Sequence, residues 1–127
     1  MRTLTIVLLF FSCILFSCDK FGSNNYSVSG KVQKGPFSKG SDITLYELDD
    51  KLQQTGKSFL STISSDDGSY EFNTVAIKGD YALIDAEGFY FSEVFGEMSP
   101  AQISLHSLAD ISDEEAINVN VLTHVIK

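Results

Sequence analysis

Two histidines, two cysteines and a few paired carboxylates are the side chains here whose chemistry reaches beyond packing. His106 alternates outward from Ile103 and Leu105 on an expected strand, and His124 lies close to Lys127, the last residue. Neither falls in a motif that sets an imidazole beside a serine or cysteine nucleophile. No catalytic residue is assigned, and the chain is not expected to be an enzyme. Asp66 and Asp67 sit together at an expected hairpin tip, with Asp42 and Asp49-Asp50 in other loops. Calcium requires several oxygen ligands from one loop or from loops that converge. The Asp-x-Asp-x-Asp-Gly frame of an EF-hand is absent. Asp66 and Asp67 are therefore the candidate metal ligands, set against a plainer reading in which they make and solvate a turn. Asp113-Glu114-Glu115 reads as a solvated face. Gly35-Pro36 lacks the Lys-Ser/Thr of a phosphate loop, zinc-ligand spacing is absent, and no cofactor is expected.

The cysteines carry a clearer signal. Met1-Arg2-Thr3 leads into an almost unbroken apolar run from Leu4 to Phe16. As a helix that run spans roughly 20 Å at about 1.5 Å per residue. A bilayer core is about 30 Å thick. The run is too short to cross it and suits the apolar core of a helical secretory signal peptide. Leu15-Phe16-Ser17-Cys18 then resembles the lipobox of bacterial lipoproteins: an aliphatic residue, a variable one, a small one, and cysteine. The resemblance implies that Leu15, Phe16 and Ser17 are read by the signal peptidase and that the Cys18 thiol accepts the lipid. Phe16 is bulkier than the pattern usually shows. Cys13 lies inside the apolar run and makes a poorer acceptor, whereas the polar change at Asp19-Lys20 falls directly after Cys18. Residues 1–17 are thus the expected signal peptide, and residues 18–26 the lipidated cysteine and a short flexible tether. With one acylated cysteine left, no disulfide is available and stability must come from burial.

The elements that must position any site follow from residue 27 onward, where apolar residues recur with period two. Val28-Gly30-Val32, Ile43-Leu45, Phe59-Ser61-Ile63, Tyr70-Phe72, Ile103-Leu105 and Ile117-Val119-Val121 each form one apolar side of a run. Tyr81 to Ala86 is apolar on both sides and reads as a central strand, and Phe89 to Phe95 as an aromatic-rich extended segment. Asp67-Gly68 is the strongest hairpin signal, because glycine accepts positive φ. Helical signal is slight: one or two turns over Asp49–Thr55 ended by Gly56, and a capping-box spacing at Ser112-x-x-Glu115 with no apolar run behind it. Seven or eight short strands without intervening helices predict an all-β, antiparallel β-sandwich over residues 27–127. The aromatics are read mainly as core.

The order Val28-Ser29-Gly30-Lys31-Val32, Gly40-Ser41-Asp42-Ile43-Thr44-Leu45, Ser65-Asp66-Asp67-Gly68-Ser69-Tyr70-Glu71-Phe72, Gly79-Asp80-Tyr81-Ala82-Leu83 and Glu87-Gly88-Phe89 resembles the carboxypeptidase regulatory-like (transthyretin-like) β-sandwich. Lys34-Gly35-Pro36-Phe37, Gly40-Ser41, Gln54-Thr55-Gly56-Lys57 and Asn118-Val119-Asn120-Val121-Leu122-Thr123-His124 are also similar to segments of uncharacterised bacterial lipoproteins that carry such a module at their N-terminus. Similar chains usually continue into a helical region after the Leu-Thr-His segment. The resemblance implies a fold and supplies no activity.

Charge narrows the partners. The chain has 17 acidic against nine basic side chains, a net charge of −8, and loss of Arg2 with the signal peptide makes it more acidic. Such a domain repels nucleic acid and anionic head groups, so acyl chains must supply membrane attachment. Two functions fit. The first is a lipid-anchored, non-catalytic interaction or scaffold module at the bacterial cell envelope, presenting loops to an envelope protein or a glycan. For a glycan, Tyr46 and Tyr90 are the candidate stacking platforms. The second is an accessory N-terminal domain of an envelope or secreted enzyme whose catalytic region lies after Lys127. Asp19 can favour inner-membrane retention in some lineages; the expected location is the cell envelope, with the outer membrane preferred.

Overall fold

A computed structural model of the chain describes residues 22–113 and 116–126. The signal-peptide residues, the lipobox and Cys18 lie outside the described residues. The remainder is mostly β, with two main sheets consistent with a β-sandwich.

The first sheet is built on β1 (Asn24–Gln33), which pairs antiparallel with β4 (Ser69–Ile77). The second has the order β3 (Gln54–Thr62), β2 (Asp42–Leu48), β5 (Tyr81–Gly88), β8 (Ile103–Asp110), all antiparallel. A small ribbon, β6 (Phe91–Ser92) with β7 (Glu97–Met98), projects from one end. β9 (Val119–Asn120) then joins the free side of β1, and the one-turn helix α1 (Val121–Val125) follows directly. The pairing of β1 with β9 is parallel, Val32 opposite Val119 and Gln33 opposite Asn120, which departs from the all-antiparallel expectation. Residues 116–118 lie along the first sheet ahead of β9, where the Ile117 N–H donates to the Ser29 carbonyl at 2.8 Å.

The period-two pattern becomes the core. Val28, Val32, Tyr70, Phe72 and Ile77 point inward from the first sheet, and Ile43, Leu45, Ala82, Ile84, Ala86 and Leu105 from the second. Burial of each large aliphatic side chain is worth about 1.5–3 kcal/mol. β5 is central as its two-sided apolarity predicts, flanked by β2 and β8. Gly30 is required by closeness. A Cβ there would collide with the Ile117 carbonyl oxygen, onto which the buried Tyr70 hydroxyl donates at 2.5 Å. Gly68 supplies φ +80° at the Asp67-Gly68 turn, as the hairpin signal requires.

Four expectations are corrected. β1 starts at Asn24, inside the segment read as tether, because Asn24, Asn25 and Tyr26 pair with Ile77, Ala76 and Val75. Asp49–Thr55 is no helix. The Asp49 carboxylate accepts the N–H groups of Lys51 and Gln53, Leu52 takes φ 60°, and β3 begins at Gln54. Phe89 to Phe95 is not one extended segment but the first arm and tip of the β6–β7 hairpin, closed by a Gly96 N–H to Ser92 carbonyl bond of 2.7 Å. Finally, the Ile117-Val119-Val121 alternation ends at Asn120. The Asn120 side chain accepts the N–H groups of Leu122 and Thr123 while Thr123 Oγ1 accepts the Asn120 N–H, a complete capping box that turns the chain into α1.

Candidate functional site

The two ends of the sandwich differ. β1 begins at the end where β4 finishes and β5 starts, and Tyr26 donates there to Asp80 at 2.8 Å. That carboxylate acceptor raises the Tyr26 phenol above its ordinary range. At the opposite end, a cleft of about 440 Å³ lies between the turn after β1 and the start of α1, with Gln33, Lys34, Pro36, Glu93, Asn120 and Leu122 among its walls.

The β6–β7 hairpin stands beside this cleft. Its base is fastened: the Phe91 N–H donates to the Pro36 carbonyl at 3.0 Å, the Ser38 N–H to the Phe89 carbonyl at 3.0 Å, and Ser99 Oγ accepts the Tyr90 N–H at 3.2 Å. Its tip is bare. Val94 and Phe95 are 88% and 79% exposed, and Phe91 and Met98 are also open to solvent. Two adjacent large apolar side chains exposed on a braced hairpin, next to a cleft with one cation and one carboxylate, form a surface suited to contact. Reading Phe89–Phe95 as core-forming aromatics hid it, because hairpin tips are legible from turn chemistry and here the only turn signal is Gly96.

Each sequence candidate can now be placed. Asp67 is engaged by Lys31 at 2.6 Å, by the Ser65 hydroxyl and by the Ser69 N–H at 3.1 Å, and these donors hold its carboxyl well below the usual carboxylate range. Asp66 accepts the Lys39 N–H at 3.0 Å. The pair therefore makes and pins a turn, the plainer of the two readings, and the two carboxylates serve different partners. No group of three or more His, Cys, Asp or Glu side chains is placed to hold a metal among the described residues. Tyr90 is half-buried, with Phe37 stacked on it at 6.4 Å between centroids and Lys34 Nζ 5.0 Å from its ring. Tyr46 is half-buried on the outer face of the second sheet, paired across to Ser58 and Leu83.

The histidines, eighteen positions apart, come together. Their rings stack with centroids 4.8 Å apart. Asp85, directly across from His106 on β5, brings Oδ1 to 3.1 Å from His106 Nδ1, without the alignment of a hydrogen bond. The hydrogen-bond partners of the pair are backbone: the His106 N–H donates to His124 Nδ1 at 3.3 Å.

Sequence reasoning missed Glu47, the charged residue that the fold buries. It occupies an inward strand position, 3% exposed, with one carboxylate oxygen accepting the Lys78 N–H at 2.6 Å and the other the Thr55 hydroxyl at 2.9 Å. A β-bulge opposite it, with Gly56 at φ +91°, brings Thr55 into reach. Comparison with known protein families, curated proteins and solved structures found no match to this chain.

Proposed function

We propose that this chain is a lipid-anchored protein of the bacterial cell envelope whose β-sandwich, of the carboxypeptidase regulatory-like kind, is a non-catalytic interaction module. The observation that carries this reading is the placement of the exposed Val94-Phe95 tip and the adjacent cleft at the Gln33 end of β1, opposite its Asn24 start. The ten residues of β1 are about 33 Å long at the usual strand rise. Five residues separate Cys18 from Asn24, so a lipid there would hold the β1 start near the bilayer and direct the cleft end outward.

The Leu15-Phe16-Ser17-Cys18 motif supports the anchor. The order along the chain of the in-strand Gly30 and the Asp67-Gly68 and Gly79 turns supports the fold kind. A partner contacting the tip would cover Val94 and Phe95 and reach Lys34 and Glu93 in the cleft. A photo-crosslinking residue at position 95 in intact cells tests this. Adducts with an envelope protein or glycan are expected, reduced at least about fivefold by Val94→Asp, a change at a fully solvated position. Equal adducts with and without that substitution would refute the binding end.

The second reading, an accessory domain beside a catalytic region, is favoured by one observation. Leu122 and Val125 on α1, and Ile126 directly after it, are exposed and offer a neighbouring domain an apolar surface to cover.

A further inference from the structure

α1 is attached by a few hydrogen bonds and one ring contact. None of its residues is buried, so the hydrophobic effect contributes little to holding it. Its grip on the second sheet runs through one residue of β8. The His106 N–H donates to His124 Nδ1 at 3.3 Å, and the His106 carbonyl accepts Thr123 Oγ1 at 3.1 Å. In an antiparallel strand the N–H and C=O of one residue point to the same side. These are therefore the groups turned away from β5, at the free edge of the four-stranded sheet.

We propose that α1 is an acid-released latch over the edge of β8. His124 Nδ1 accepts a hydrogen bond only while it keeps its lone pair; a proton there sets a donor against the His106 N–H donor. Histidine gains that proton in the interval between pH 8 and 5. The charged groups that face the pair are carboxylates of β5. From β5, Asp85 lies 3.1 Å from His106 Nδ1 and partners an imidazolium on that ring, and Glu87 lies further along the same sheet face. From β8, His106 presents its stacked ring to His124 at 4.8 Å. From β9 come only Val119 and Asn120, which do not titrate. Once both rings are protonated, like-charge repulsion adds to the lost hydrogen bond. α1 then swings out about Asn120, exposes the His106 backbone groups to water and removes Val121 and Leu122 from the cleft wall. This mechanism stands whether or not the cleft is a binding site.

Amide hydrogen exchange read by NMR on the full chain in zwitterionic detergent tests the latch. Between pH 7.5 and 5.0 the protection factor of the His106 amide should fall at least tenfold while that of Ile84 in the core holds. His124→Asn, whose side-chain oxygen accepts without titrating, should keep His106 protected at both pH values. His124→Ala should leave it unprotected at both. Unchanged His106 protection in the parent protein, or equal acid loss in His124→Asn, would overturn the proposal. The imidazole nitrogen shifts of His124, followed in the same samples, must move over the interval in which protection is lost; a loss without that movement would also overturn it.

Discussion

Tyr70 shows how one side chain can tie distant parts of this chain together. It is buried against Phe72 in an edge-to-face pair, and its hydroxyl donates to the Ile117 carbonyl, fixing the segment that returns from the second sheet. Tyr70→Phe keeps the ring and strands a buried acceptor, so a loss of about 1–3 kcal/mol is expected in urea denaturation at pH 7. Burial pushes the Tyr70 phenol well above the ordinary tyrosine range near pH 10. A raised folded value means the stabilisation is complete below pH 10 and declines as pH rises further, because the unfolded chain ionises first. The urea midpoint of the parent protein should fall above pH 10, and that of Tyr70→Phe should fall less. Tyr70 is legible as a strand residue from its spacing with Phe72. Its partner is not, because 47 residues of chain separate the two.

At the scale of elements, legibility follows the range of the forces involved. β2, β5 and β8 are readable because alternation is local and their inward residues meet one shared core. The Asp67-Gly68 hairpin is readable because its chemistry lies within four residues. β9 and α1 are a different case. Val119 and Val121 favour a strand by propensity, but the Asn120–Thr123 capping box satisfies helix donors that an extended chain would leave to water. Asn120→Ala removes that acceptor and should cost about 1 kcal/mol locally. The amides of Leu122 and Thr123 should exchange faster while those of β5 keep their protection; loss of β5 protection as well would mean α1 is integral to the core. The exposed hairpin tip escapes the sequence for a related reason. Val94 and Phe95 are core-type residues by composition, and only the closing of the hairpin at Gly96 shows that they face water.

Across the whole molecule, charge and placement give the account its direction. A net charge of −8 opposes adsorption to anionic lipid, which is why the proposed attachment runs through a lipid on Cys18, while the bare hairpin and cleft lie at the Gln33 end of β1. Among the described residues no helix is long and apolar enough to cross a membrane. The most direct test is fractionation of cells producing the parent protein and Cys18→Ser, with a labelled fatty acid supplied. The account predicts labelled parent protein in the membrane fraction, and unlabelled Cys18→Ser released to the soluble fraction or held as uncleaved precursor that alkylated fatty acid does not mark. A Cys18→Ser protein that remains labelled would contradict it.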